Sequence, residues 1–363
     1  MTTKRVLFFA VGLSLLLAGT AVAVSTLTPP RRLGDPLVGL TAAESARFTA
    51  GQAVFSREFT TETGLGPFFN NVSCASCHEE PAIGGAGAFG EAGEGDVDTE
   101  RHATAGDKPS CDELERFGGP VFRQQTTGPA LPPIPADAVV RVGVRSTPAL
   151  FGFGLIEAIP EAAIVANVGH AGGRAARLPS GALGRFGRKA TDPDLAGFIT
   201  GAFDKEQGVL VPSELSAADR DLTVDFVRFL APPEPPSLDL VERAGQVIFH
   251  RVGCANCHVP TYVTSSPVAA LNKKTVYLYS DLLLHDMGEG LADICKGVAG
   301  RAEFRTEPLM GLRARTRFLH DGRALTLESA ITQHGGQGAA AAANFAGLSR
   351  VEQAALLRFL KRL

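Results

Sequence analysis

The sequence predicts a mainly α, loop-rich chain built as two tandem units related by internal duplication. Three observations predict it. The pattern C-x-x-C-H occurs twice, at Cys74-Ala75-Ser76-Cys77-His78 and at Cys254-Ala255-Asn256-Cys257-His258. A G-Q-x-[VI]-F-x-R segment precedes each copy, at residues 51–57 and 245–251. Each half then closes on an amphipathic helix whose N-cap is a serine, Ser216 or Ser349, followed by apolar residues at helical spacing. The chain holds 41 glycines and 23 prolines, so these helices stand in a frame of turns and loops.

C-x-x-C-H is the attachment pattern of c-type haem, in which two thiols add to the haem vinyl groups and the adjacent histidine ligates the iron. Two copies imply two covalently bound haem c groups. They hang on Cys74 and Cys77 with His78 as iron ligand, and on Cys254 and Cys257 with His258. The tandem units are therefore c-type cytochrome domains. A zinc or dithiol reading accounts for one C-x-x-C pair but not for two, each followed by histidine, in an exported chain.

Export is read from the first residues. Lys4 and Arg5 precede an apolar run from Val6 to Ala18 and an A-x-A site at Ala21-Val22-Ala23, the form of a secretory signal peptide over residues 1–23. Cleavage would leave a soluble periplasmic protein, which meets a membrane only through the signal segment if that segment is uncleaved. Residues 24–40 read as a linker. The N-terminal cytochrome domain follows over 41–231, opening on a capping box of Thr41 and Glu44. Pro232, Pro233, Pro235 and Pro236 mark a Pro-rich linker over 232–240, and the C-terminal domain occupies 241–363. A third matching block supports the duplication: Arg145-Ser146-Thr147-Pro148 answers Arg305-Thr306-Glu307-Pro308. The net charge of −3, with no basic run, excludes a nucleic-acid partner and suits a small basic redox partner.

The run Tyr279-Ser280-Asp281-Leu282-Leu283-Leu284-His285-Asp286-Met287-Gly288, with Phe318-Leu319-His320-Asp321-Gly322-Arg323, resembles the bacterial di-haem oxidoreductases of peroxidase type, also called thiol oxidoreductases. The likeness runs from about Gly51 to the C-terminus. More distantly the motif order is similar to that of the di-haem cytochrome c peroxidases. The resemblance implies hydrogen peroxide reduction at the N-terminal haem. Electrons would enter at the C-terminal haem from a small cytochrome c or cupredoxin. It also implies calcium between the domains, although no ligand cluster for it stands out. A non-catalytic electron-transfer cytochrome and a di-haem oxidase of another substrate remain open as alternatives.

The same resemblance points to the remaining site residues. In the peroxidases a methionine fourteen residues beyond the His of the H-D-G motif closes the second haem; here that position is His334, which becomes the expected second axial ligand, with His285 and Met287 in reserve. Gly201-Ala202-Phe203-Asp204-Lys205-Glu206-Gln207-Gly208 is similar to the segment that carries the catalytic acid. It places Glu206 in that role and Gln207 where methionine is usual. Glu157, alone in an apolar run, is a second candidate acid, because a buried carboxylate must be paired, protonated or functional; Arg145, Arg185 or Arg188 would pair with it. Arg145, Arg185 and Arg188 are also the expected partners of haem propionates, a carboxylate that suits a guanidinium fork. Cys111 and Cys295 remain, one per half, and an oxidising compartment predicts a disulfide between them.

Overall fold

Helix α1 (Ala42–Phe55) begins at the capping box read from the sequence: the Glu44 carboxylate accepts from the Thr41 amide at 2.7 Å, and the Glu44 amide donates to Thr41 Oγ1 at 3.2 Å. The computed structural model describes residues 32–87, 97–102, 121, 123–131, 133, 141–235 and 237–363. The expected signal peptide and Cys111 lie outside the described residues. Cys295 is disulfide-bonded. The four haem-motif cysteines are outside disulfides.

After α1 the chain forms short strands β1 (Phe68–Phe69), β2 (Val97–His102), β3 (Gln125–Thr126) and β4 (Arg141–Ser146), paired antiparallel as β1–β3 and β2–β4. Helices α2 (Phe153–Glu157), α3 (Glu161–Val165), α4 (Leu195–Ala202) and α5 (Ala217–Phe229) complete the first half. The second half opens with α6 (Leu240–Arg251), passes through β5 (Tyr262–Val263), β6 (Thr275–Val276), β7 (Leu284–Asp286) and β8 (Glu303–Arg305), and ends with α7 (Leu327–Thr332), α8 (Ala339–Ala346) and α9 (Arg350–Leu360). β5 pairs with β6 and β7 with β8, again antiparallel. The described chain is thus helix-rich with small ladders in its loops. None of its helices is long and apolar enough to cross a membrane.

The two halves meet the expected helix pairs in the same way. α1 packs on α5, and α6 on α9. A Cβ on Gly51 would lie 2.0 Å from the Leu222 carbonyl oxygen, and one on Gly245 would lie 2.1 Å from that of Ala355. Only glycine lets the paired backbones approach so closely. Beside the crossings, Phe55 packs on Phe226 with ring centroids 4.9 Å apart, and Phe249 on Phe359 at 5.6 Å. Ser216 and Ser349 cap α5 and α9 as expected. The halves are not separate cores: Tyr262, Leu271, Val276, Leu278, Leu282 and Leu283 join the apolar cluster built by the first half. A second cluster fills the α6–α9 side.

Candidate haem-binding site

Each C-x-x-C-H motif folds as one tight turn. The amides of His78 and His258 donate to the carbonyls of Cys74 and Cys254, at 3.0 and 2.9 Å, which closes the turn in both motifs. His78 Nδ1 faces the Gly85 carbonyl at 3.0 Å, and His258 Nδ1 faces that of Tyr279 at 2.9 Å. A carbonyl accepts only, so Nδ1 carries the proton and Nε2 keeps its lone pair for a metal. Burial pushes both imidazoles down to about 4, so they stay neutral at pH 7. Tyr279 turns its carbonyl inward from a left-handed backbone, φ 54°, which a bulky residue rarely adopts. Phe55 and Phe249, from the equivalent helices, pack on the two histidines.

The first motif opens on a cavity of about 210 Å³ that Cys74, Cys77 and His78 line together with Glu206, Arg145 and Arg188. Glu206 stands on a five-residue π-helical turn, Phe203–Gln207, that continues α4. Such turns re-aim side chains and recur at functional sites. Asn70 fixes the acid: its Nδ2 donates to Glu206 Oε2 at 2.7 Å, while its Oδ1 accepts from the Gln124 amide at 3.0 Å. Arg123 clamps the outside of the turn through the carbonyls of Asp204 and Lys205. A second cavity of about 240 Å³ adjoins the first and shares Ser146, Thr147, Pro148 and Arg188 with it.

The second motif has a histidine and a methionine brought near it from the segments at 285–288 and 334–338. His334 follows α7, its Nδ1 bonded to the Ala330 carbonyl at 2.8 Å, the same tautomer lock found on His78 and His258. It is close enough to His258 to add a smaller lowering to the one that burial imposes on that ring. Met287 and His334 pack together, each 3.1 Å from where a Cβ of Gly338 would stand. His285 is committed elsewhere: its Nε2 meets Asp281 at 2.9 Å, and its Nδ1 meets Gln337 Oε1 at 2.9 Å and Cys257 Sγ at 3.7 Å. Burial opposes its charge, but Asp281 overcomes that and pushes it up to about 10.

These side chains fit haem: two thiols in one turn, a tautomer-locked histidine beside them, and cations within reach of the first motif. Calcium, a hard cation, needs an all-oxygen set. The group among the described residues that could hold a metal is Cys257, Asp281 and His285, which is not one.

Two expected residues fall elsewhere. Arg185 does not line the cavity; its Nη1 donates to the carbonyls of Glu157 and Ile159 at 3.0 and 2.9 Å, because the loop turns it inward onto the end of α2. Glu157 also stands off the cavity. Its Oε1 accepts from the Leu195 amide at 3.0 Å, holding the start of α4, and its Oε2 meets Arg228 at 2.8 Å, so its charge is compensated by a residue other than the three expected. Sequence reasoning missed Asn70 and Arg305 as site residues. Arg305 lines the cavity, as does Lys189, which the sequence offers with Arg185 and Arg188 as a propionate partner. The R-x-x-P block that contains Arg305 was a signal of repetition and resemblance, not of a site; Asn70 carried none.

Residues 198–363, which include Glu206, the second motif and His334, match the model of the family described as "Di-haem oxidoreductase, putative peroxidase". The match covers somewhat less than half of the chain and leaves the first motif outside it. Among curated proteins none matches. Among solved structures, the chain is similar to hydrazine synthase of Kuenenia stuttgartiensis, at 17% identity and TM-score 0.45, covering 98% of this chain and 99% of that one. It is also similar to a MauG-like protein associated with microbial copper homeostasis, at 16% identity, TM-score 0.44, 92% and 93% covered. A third is the diheme peroxidase BthA of Burkholderia thailandensis, at 15% identity, TM-score 0.46, 93% of each chain covered. The matched family is one of oxidoreductases, with haem as its implied cofactor.

Proposed function

We propose that this chain is an exported di-haem peroxidase built by duplication of a c-type cytochrome domain, with haem attached covalently at both motifs. Hydrogen peroxide would be reduced at the His78 site. Electrons would arrive at the His258 site from a small cytochrome c or cupredoxin in the periplasm. The observation that carries this reading is the inequality of the two motifs: a braced carboxylate, Glu206, beside an open cavity at the first, and a tautomer-locked His334 against the second.

Bound haem would supply one-electron redox chemistry and an iron position for the peroxide. The protein's own residues do the rest. Reducing one peroxide to two waters consumes two electrons and two protons and breaks the O–O bond. Glu206, held by Asn70 at the cavity wall, takes the proton from one peroxide oxygen and returns it to the other. Arg145, Arg188, Lys189 and Arg305 line the cavity and are the residues that would hold the carboxylates of the cofactor. His258 and His334 are the residues that would hold the second haem, which would then supply electron exchange rather than a place for substrate.

Spectra of the oxidised and half-reduced holoprotein, read with peroxide turnover, test the proposal. It expects one high-spin and one low-spin haem in at least one of the two states, and turnover with a reduced cytochrome or cupredoxin. Two low-spin haems in both states with no turnover would leave an electron carrier instead.

A further inference from the structure

Gln207 departs from the methionine that resembling enzymes carry, and the structure shows what the departure leaves behind. The residue is 2% exposed and lines the cavity beside Glu206. Its carboxamide Nε2 lies 3.6 Å from Cys74 Sγ. Its Oε1 is buried and has no hydrogen-bond partner. A buried carbonyl oxygen left unmatched costs on the order of 1–3 kcal/mol, so it is either a defect or an acceptor waiting for a ligand.

The chemistry of the first motif fixes which way the amide points. Once Cys74 is a thioether its sulfur has no hydrogen to donate, so only the NH₂ end of Gln207 can bond it. The carbonyl end then has to face away from the sulfur. Backbone packing allows little adjustment: the Gln207 carbonyl accepts from the Gly66 amide at 3.0 Å, and Gly208, at φ 65°, would put a Cβ 2.7 Å from the Phe68 carbonyl oxygen. The π-helical turn presents Glu206 and Gln207 to the same cavity.

We infer that Gln207 is a substrate-binding side chain of the N-terminal site, whose Oε1 accepts a hydrogen bond from an O–H or N–H group of a small ligand held in the cavity. On the peroxidase reading, on which this rests, that group is the remaining O–H of hydrogen peroxide. Glu206 moves the proton while Gln207 orients the oxygen that keeps one. A methionine offers no acceptor of comparable strength. This site would therefore favour hydrogen-bearing ligands over hydrogen-free ones of similar size.

The test compares wild-type holoprotein with Gln207→Met and Gln207→Leu, after confirming two haems per chain. Three readouts are taken: kcat/KM for peroxide, and the dissociation constants of methylamine, which keeps N–H when bound, and azide, which has no hydrogen. The expected result is a five- to tenfold loss for peroxide and methylamine, with azide unchanged or tighter. Equal weakening of all three ligands in both variants would make Gln207 a shape-filling residue and overturn the inference, as would no change in any. A wild type inert toward peroxide would refute the peroxidase reading alone, since the methylamine and azide pair still decides the role of Gln207. Should Gln207→Met fail to take up haem, Gln207→Leu carries the same comparison.

Discussion

Glu307 is the side chain whose removal the structure prices most directly. Its carboxylate lies between three guanidiniums: Arg188 at 2.6 Å, Arg315 at 2.8 Å and Arg305 at 3.4 Å. Arg188 and Arg305 reach it from the wall of the first cavity. Burial alone would raise the Glu307 carboxyl, but the three arginines outweigh it and hold it well below the usual carboxylate range. Glu307→Gln removes the negative charge and leaves three cations crowded around a neutral amide. Breaking a fully buried pair costs about 3–5 kcal/mol. Glu307 keeps 26% exposure, so the lower end applies, about 3 kcal/mol. The pH dependence follows from the direction of the shift. A depressed carboxyl stabilises the fold above its unfolded value of about 4.3 and loses that contribution as pH falls further. Urea unfolding of the holoprotein measures this without the screening that guanidinium brings. Wild type should exceed the variant by about 3 kcal/mol at pH 7, and the gap should narrow below about pH 4. Adding Arg315→Met should restore part of the loss, because one stranded cation is removed. A gap under about 1 kcal/mol at pH 7, or one that acid leaves unchanged, refutes the reasoning.

Four further outcomes follow. Glu206→Gln should lower peroxide kcat/KM by roughly 10²- to 10⁴-fold. Glu157→Gln should leave turnover near wild type and lower stability by about 1–3 kcal/mol, since its carboxylate holds α4 and Arg228 rather than the cavity; steady-state kinetics with thermal melts separates the two. Gly51→Ala and Gly245→Ala should each destabilise by about 1–3 kcal/mol and reduce bound haem, because the new methyl meets a backbone carbonyl that cannot move aside. His334→Ala should turn the second haem from low-spin to high-spin in the absorption spectrum, and unchanged spectra would remove it as a ligand.

What the sequence makes legible is what depends on neighbours. The caps at Thr41, Ser216 and Ser349 are local hydrogen bonds over three residues, and all three form. The glycine in G-Q-x-[VI]-F marks a close helix crossing in both halves. Side-chain direction in loops is another matter. Arg185 and Arg188 stand three residues apart in one basic loop, yet one turns onto the α2 carbonyls and the other onto the cavity and Glu307. No spacing rule distinguishes them, because the choice is made by where α2 and residue 307 happen to lie. Glu157 shows the same limit: its isolation correctly signals compensation, but its partner Arg228 is 71 positions away. Glu206 became visible only through resemblance, and its brace Asn70, 136 positions distant, not at all.

The inequality of the two motifs has a physical origin outside the motifs themselves. Turn, histidine tautomer, supporting phenylalanine and helix crossing repeat nearly alike in both halves. What differs is the chain brought against each one. At the second, the backbones of residues 286–288 and 335–336 touch directly: a Cβ on Gly336 would stand 2.3 Å from the Asp286 carbonyl oxygen, and one on Gly288 would stand 2.9 Å from the Gly336 nitrogen. Glycines at these points let the two segments close without a gap, and His334 and Met287 are carried in on them. At the first, the segment supplied is the π-helical turn, held off by the 66–71 loop that bonds its Glu206 and Gln207 carbonyls. That turn carries no histidine or methionine, and it presents Glu206 and Gln207 to the cavity. The extra residues between the G-Q-x-[VI]-F segment and the first motif, which the second half lacks, are the ones that form this loop. The segment that braces Glu206 and Gln207 thus has no counterpart before the second motif, where Arg251 is followed almost directly by Cys254.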